Sequence, residues 1–253
     1  MKKILAILLT AAVLTTVSCS RDTAHTSGDG VRTIVVASDC TWPPMEMVDE
    51  DKNLVGYDID LIKAVAEKGG FDVEIQNTAW DGIFAGLANG EYDAVISSVP
   101  ITDKRKKTMD FSYPYINAGQ VIVVQKSTDR IESLEDLKGK TVGAQTGTMG
   151  DIEVGKFPEI TKKTYDEIGL AVEDLANGRI DAVVCDTPVA ANYALQTEKY
   201  RGVFKVTGEP FTDEYYGIAV KKGNTDVLEL INNGLKQVRE EGINRKLENK
   251  WLR

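Results

Sequence analysis

The sequence predicts an α/β protein made of two similar lobes, each built around a largely parallel sheet. Two observations carry that expectation. Buried-strand runs alternate with helical periodicity along most of the chain, the pattern of βαβ units. A segment also recurs 88 residues downstream. Leu87-Ala88-Asn89-Gly90-Glu91-Tyr92-Asp93-Ala94-Val95-Ile96-Ser97-Ser98-Val99-Pro100 aligns with Leu175-Ala176-Asn177-Gly178-Arg179-Ile180-Asp181-Ala182-Val183-Val184-Cys185-Asp186-Thr187-Pro188, identical at eight of 14 positions. Two copies at that spacing are not a solenoid. A common helix stop before a generic strand would explain Leu-Ala-Asn-Gly, but not the shared Asp-Ala-Val and proline as well.

The elements follow in order. Met1-Lys2-Lys3 precedes an uncharged apolar run, Ile4 to Val17. A basic start with a run too short for the roughly 20 residues of a membrane span reads as a secretory signal over residues 1–18. Thr16-Val17-Ser18-Cys19 resembles a bacterial lipoprotein cleavage box, with Thr16 where leucine is usual; it implies that Cys19 carries a lipid. Residues 19–30 are small and polar and hold the single histidine, His25, the composition of a tether. Thr33 to Ala37 predicts a buried strand, and Ile59 to Ala66 a helix. Phe71 to Gln76 alternates as a strand, and Trp80 to Leu87 returns to helical spacing before Asn89-Gly90 stops it. Asp93 to Ser97 is another short strand. Val227, Leu228, Ile231, Leu235 and Val238 share one helical face, which Ile243, Leu247 and Trp251 continue beyond Gly242.

Composition excludes several classes. The chain has 253 residues and a formal charge of −9, and loss of the leader removes Lys2 and Lys3 but no acid. Such a protein lacks the basic face that nucleic acid or an anionic bilayer demands. One histidine and three cysteines supply neither a zinc site nor a disulfide scaffold. With His25 in the tether, no Ser/His/Asp or Cys/His set exists. No metal and no cofactor is expected.

In open α/β sheets, ligands bind beyond the carboxyl ends of the strands. The repeat puts Ser98 of one lobe and Asp186 of the other at equivalent strand ends, so facing lobes would share them in one cleft. At these residues a family resemblance emerges. Asp39-Cys40-Thr41-Trp42-Pro43-Pro44-Met45-Glu46, Gly56-Tyr57-Asp58-Ile59-Asp60-Leu61, Ser97 to Arg105, Asp110-Phe111-Ser112-Tyr113-Pro114-Tyr115 and Val142 to Thr148 follow one another in family order. Together they resemble the polar amino-acid-binding proteins of ABC importers, the family 3 extracellular solute-binding proteins, over residues 31 to 253. The resemblance implies a two-lobed periplasmic-binding-protein-like fold: two mixed, mostly parallel sheets flanked by helices and hinged by two crossover strands. The crossovers would fall near Ile116–Gly119 and Phe211–Tyr216. Lobe 1 would then comprise residues 31–116 and 217–253, and lobe 2 residues 117–216. It further implies a monomeric extracytoplasmic receptor, in the periplasm or at the cell surface. Its lipid would be its only membrane contact, and it would pass an L-amino acid to a permease and its ATPase.

The chemistry of an α-amino acid bears on the same residues. A carboxylate favours a fixed, forked cation, which arginine provides and lysine does not. Arg105 matches the family's carboxylate arginine, although Lys104-Arg105-Lys106-Lys107 by itself reads as a solvated charge run. Backbone N–H groups at Gly147-Thr148-Met149 would assist where a helix begins, and Thr148 would equally serve as a plain cap. Asp186 matches the family's ammonium acceptor, with Ser98 and its neighbour Ser97 beside it. Pro100 departs from the family's Ser or Thr and lacks both hydroxyl and N–H, which leaves that contact absent or to Thr102. Trp42 and Trp80 resemble the pair that sandwiches the ligand side chain, where aromatic faces suit cations and amides; either would otherwise be core. Asp39 and Glu46 add negative potential, and Gln145 reaches the distal end. The expected ligand is arginine or lysine, then glutamine.

Two other readings stand beside this one. Periplasmic dehydratases of the cyclohexadienyl type, acting on prephenate-like substrates, resemble the same fold and would recruit a cleft carboxylate as general acid. A non-transport adhesin or signalling lipoprotein would reuse the fold. Cys40 and Cys185 fall in different lobes, where a bridge would lock the hinge, so two free thiols are expected.

Overall fold

The computed structural model describes residues 30–253. The expected leader, Cys19 and His25 lie outside the described residues.

The chain opens with β1 (Thr33–Ser38), then a three-stranded antiparallel flap of β2 (Thr41–Trp42), β3 (Glu46–Val48) and β4 (Leu54–Val55). Helix α1 (Tyr57–Gly69) buries Ile59, Leu61, Ile62 and Val65 along one face and ends at Gly70 in the left-handed region. Strand β5 (Asp72–Asn77), α2 (Ile83–Asn89), β6 (Ala94–Val95), α3 (Asp103–Lys106) and β7 (Met109–Phe111) complete the first half. Strand β8 (Ile116–Ala118) leads into β9 (Gln120–Gln125), followed by β10 (Thr141–Gln145), α4 (Met149–Val154), β11 (Thr161–Tyr165), α5 (Ile168–Ala176), β12 (Ala182–Asp186) and α6 (Thr187–Ala191). Strands β13 (Phe204–Thr207), β14 (Glu214–Tyr216) and β15 (Ala219–Lys221) precede α7 (Thr225–Glu240) and α8 (Ile243–Trp251).

Two five-stranded mixed sheets result, ordered β5-β1-β6-β15-β7 and β11-β10-β12-β9-β13. We call the halves built on them lobe 1 and lobe 2. In each, the first strand lies parallel between the second and third (β1 with β5 and β6; β10 with β11 and β12), and an antiparallel strand follows. The repeat therefore occupies matching places: the end of α2 with β6, and the end of α5 with β12. Each antiparallel neighbour, β15 or β9, is entered directly after a crossover. Those crossovers, β8 and β14, pair with each other as a separate antiparallel ladder.

Burial explains the layers. One apolar cluster runs through both lobes, joining Ile34, Tyr57 and Ile62 through Tyr115 and Tyr216 to Val183, Ile168 and Phe204. The opposite sheet faces are closed by smaller clusters around Ile83, Leu87 and Val95 in lobe 1, and Leu137, Val142 and Val184 in lobe 2. Helix α7 packs on α1 with its buried row Val227, Ile231, Leu235 and Val238. Two local readings need correction, and one strand had no reading at all. Trp80 sits in the turn before α2, which begins only at Ile83. The strand expected over Asp93–Ser97 is reduced to Ala94–Val95, because the chain turns away at Ser97-Ser98 to line the cleft. Strand β11, Thr-Lys-Lys-Thr-Tyr, carried no apolar signal because it is an exposed edge, where lysines discourage further pairing.

Among the described residues no helix is long and apolar enough to cross a membrane. Cys40 and Cys185 are both free and buried.

Candidate functional site

The carboxyl ends of both sheets open on one shared cavity. Lobe 1 contributes Asp39, Trp42, Glu46, Trp80, Ser97, Ser98, Pro100 and Arg105 to its wall; lobe 2 contributes Gln145, Thr148, Met149 and Asp186. Of the residues expected from sequence, Thr102 and Gly147 are not on this wall. The Thr102 hydroxyl caps α3 by accepting from the Arg105 N–H at 3.2 Å.

Arg105 is fixed by its surroundings. Its guanidinium lies 5.5 Å from the Trp80 ring centre and 5.0 Å from that of Phe84, with the two rings edge to face. One Nη1–H donates to the Pro100 carbonyl at 3.1 Å. Pro100 thus holds Arg105 through its carbonyl. Burial lowers the Arg105 pKa to about 10, opposed by the charges of Glu214 and Asp186; it stays a cation at neutral pH.

Asp186 closes β12 and begins α6, almost wholly buried. Burial raises its carboxyl to about 6, while Tyr216, Gln120, Trp42 and the charge of Arg105 pull the other way. Its counterpart in the repeat, Ser98, adopts φ 48°, a left-handed backbone unusual for serine. The Ser98 N–H donates to Asp58 Oδ2 at 2.7 Å, and its buried hydroxyl has no protein partner.

At the far end, Gln145 Nε2 donates to Asp39 Oδ2 at 3.0 Å, joining the lobes across the cleft. Asp39 Oδ1 accepts from Thr41 Oγ1 at 2.8 Å. Burial pushes the Asp39 carboxyl up, and hydrogen bonds from Thr41, Gln145 and the Trp80 backbone restrain it. Gln145 Oε1 is buried without a partner. Beneath lies Ser97, whose hydroxyl accepts from the Asp39 N–H at 3.0 Å and donates to Glu46 Oε1 at 2.9 Å.

Glu46 differs from the sequence expectation. It is fully buried and faces Asp58. Burial first, then the Asp58 charge, drives its pKa well above the ordinary value, whereas Asp58 rises to about 6 against hydrogen bonds from Ser98, Tyr115 and Glu46. Burial and the like charge of Asp58 thus both favour the protonated form of Glu46. Met149 lines the wall at the start of α4. The neighbouring donors are partly spent inside lobe 2: Gly147 N–H donates to Asp151 Oδ2 at 2.9 Å, and Thr148 N–H to the Gln145 carbonyl at 3.3 Å. Sequence reading missed Phe84, Gln120, Glu214 and Tyr216, which stand behind the wall. Only the spacing of Phe84, four residues after Trp80, hinted at any of them.

Two α/β lobes facing each other across a cleft that carries fixed charges of both signs define the class of bilobal solute receptors. The chain belongs to the bacterial extracellular solute-binding proteins, family 3, whose profile matches residues 34–253. A relative described as a probable histidine-binding protein, from Neisseria gonorrhoeae, is 37% identical over 261 residues, covering 100% of this chain and 96% of its own. A solved structure of an ancestral arginine-binding protein bound to arginine shares 44% identity at a TM-score of 0.84, covering 90% of this chain and 100% of that one. An ancestral amino acid-binding protein, described as a precursor of cyclohexadienyl dehydratase, shares 38% identity at a TM-score of 0.81, covering 87% and 96%. These relatives are described as binding proteins, which does not favour the dehydratase reading.

Proposed function

We propose that this protein is the extracytoplasmic receptor of an amino-acid ABC importer, not an enzyme, and that it captures a cationic L-amino acid, arginine first. In this reading the ligand carboxylate meets the Arg105 fork, and its ammonium meets Asp186 and Ser98. The side chain lies between Trp42 and Trp80 and ends at Asp39 and Gln145. The observation that carries the choice of ligand is that far end: a buried carboxylate beside the unpartnered Gln145 Oε1. A cluster of acceptors favours a group with many donors. Guanidinium has five N–H donors, ammonium three and a glutamine amide two, which orders arginine before lysine before glutamine.

Closure would bend the β8 and β14 crossovers, swinging lobe 2 (residues 117–216) against lobe 1 (residues 31–116 and 217–253). The leader and Cys19 support a lipid anchor outside the cytoplasm, with a monomer delivering to a permease and its ATPase. Loss of fatty-acid labelling in Cys19→Ser would test the anchor.

The ligand assignment is tested by thermal shift of the mature domain against L-arginine, L-lysine, L-histidine, L-glutamine, L-glutamate and prephenate. A ligand at a hundred times its Kd adds about 2.7 kcal/mol, roughly 5–10 °C for a chain of this size. Arginine should shift most and glutamate least. An equal glutamate shift would overturn the cationic assignment, and silence from every amino acid would overturn the receptor itself.

A further inference from the structure

Beside Asp186, but off the cavity wall, lies a second buried carboxyl that this binding scheme leaves unused. Glu214 stands on the returning crossover β14, and Gln120 opens β9 just beyond the outgoing one. The Gln120 amide donates to Asp186 Oδ1 and, at 3.4 Å, to Glu214 Oε2. Thr212 closes the group: its hydroxyl donates to Glu214 Oε1 at 2.7 Å and accepts from the Gln120 N–H at 2.7 Å. All three side chains are buried, Gln120 at 1% exposure and both acids at 6%. A single amide group therefore serves two carboxyls, and neither has a salt bridge among the described residues.

We propose that Gln120 and Glu214 are positioning residues of the ammonium site: Gln120 orients Asp186, and Glu214 holds a proton that it releases to solvent when a ligand ammonium arrives. This rests on the reading that Asp186 receives the ammonium. The balance is one proton: the Glu214 carboxylic acid becomes a carboxylate, its proton goes to the buffer, and the incoming cation supplies the charge that makes two adjacent carboxylates tolerable.

The groups facing Glu214 agree. Burial first, and then the charge of Asp186 from β12, raise it to about 7; Thr212 and Gln120 oppose that, and Glu153 from α4 adds to it. Among the described residues Arg105 from α3 is the cation that feels both acids, and Tyr216 on β14 feels the Glu214 charge without bringing one. Strands β8 and β9 bring no titratable side chain. Since the carboxyl is raised in the ligand-free protein and must ionise on binding, affinity should climb as pH rises from 6 to 8 and level off above.

The test is calorimetric titration of the mature domain with L-arginine at pH 6.5, in two buffers of different ionisation enthalpy, and across pH 6 to 8. The unmutated protein should release a sizeable fraction of a proton and gain up to roughly tenfold in affinity over that range. Glu214→Gln keeps the shape and removes the titrating group. It should still bind arginine at pH 8, release less of a proton and give a flatter profile. An unchanged proton count and slope in Glu214→Gln would overturn the role of Glu214 while leaving the receptor reading intact, whereas no binding by the unmutated protein would overturn that reading instead. Should the variant not fold, carboxyl-carbon NMR of the unmutated protein decides. A glutamate titrating near neutrality without arginine, and displaced downward with it, supports the role. The lack of any arginine-sensitive glutamate refutes it.

Discussion

Replacing Arg105 by lysine keeps a positive charge and removes everything else the site asks of that residue. The guanidinium packs against Trp80 and Phe84 at 5.5 and 5.0 Å and is tethered to the Pro100 carbonyl at 3.1 Å. A lysine ammonium has no planar face to stack and presents a point charge in place of a fork. Loss of a charge-assisted hydrogen bond is worth about 1.5–3 kcal/mol and loss of the cation–π contact about 0.5–1 kcal/mol. Together these give about 2–4 kcal/mol, or roughly a 30- to 1,000-fold rise in Kd for arginine. Calorimetry with L-arginine and with L-argininamide, which lacks the carboxylate, separates lost recognition from lost folding. In the unmutated protein the amide should bind far more weakly than arginine; in Arg105→Lys that gap should shrink by about the same factor. A gap that persists undiminished would refute the pairing of Arg105 with the carboxylate, however weak the variant's binding became.

Other outcomes follow from the same geometry. Asp39→Asn should weaken arginine and lysine by roughly ten- to a hundredfold, from loss of a buried charged acceptor worth about 1.5–3 kcal/mol, and leave glutamine within a few-fold; equal losses for all three would show that Asp39 is structural. The ligand-free protein should melt at a higher temperature at pH 5.5 than at pH 8. The carboxyls of Asp58, Asp186 and Glu214 are raised to about 6, 6 and 7, so their contribution is present below their unfolded values and lost as pH climbs through 6 to 7. For Asp186 alone, the move from 3.8 to about 6 corresponds to about 3 kcal/mol in full, of which about 1 kcal/mol falls between pH 5.5 and 8, and a flat or reversed melting profile would contradict it. Cys40 and Cys185 should resist maleimide in the folded protein and label fully once unfolded, without prior reduction. Burial holds both thiols above their usual pKa, Cys40 at about 11, and failure to label after unfolding would reveal a bridge.

The lobes were legible because a duplicated stretch repeats its chemistry as well as its spacing. Leu-Ala-Asn-Gly stops a helix in both copies, Asp-Ala-Val buries a strand in both, and the next residues reach the cleft in both. The wall was legible where a residue type has few structural reasons to be there, as with a carboxylate at the end of an apolar strand. What lay behind the wall was not. Gln120 and Glu214 are ordinary strand residues in sequence, separated by 94 positions, and only the crossover ladder brings them to Asp186. Glu46 was misjudged because its protonation depends on Asp58. That aspartate reads as a favourable first-turn acid of α1, yet it is fully buried. Thr102 was ambiguous because a hydroxyl three residues before an arginine suits a ligand contact and a helix cap equally well, and here it caps α3.

The placement of Ser98 and Asp186 at the ends of equivalent strands has a mechanical consequence. A molecule held by both is a strut between two bodies, and its bonds act as angular stiffness across the crossover ladder. A solute that fits one end alone is adsorbed yet leaves the lobes free to swing, whereas one that spans both fixes their angle. Anything docking on the two lobes together could then read the identity of the cargo as a shape, without touching it.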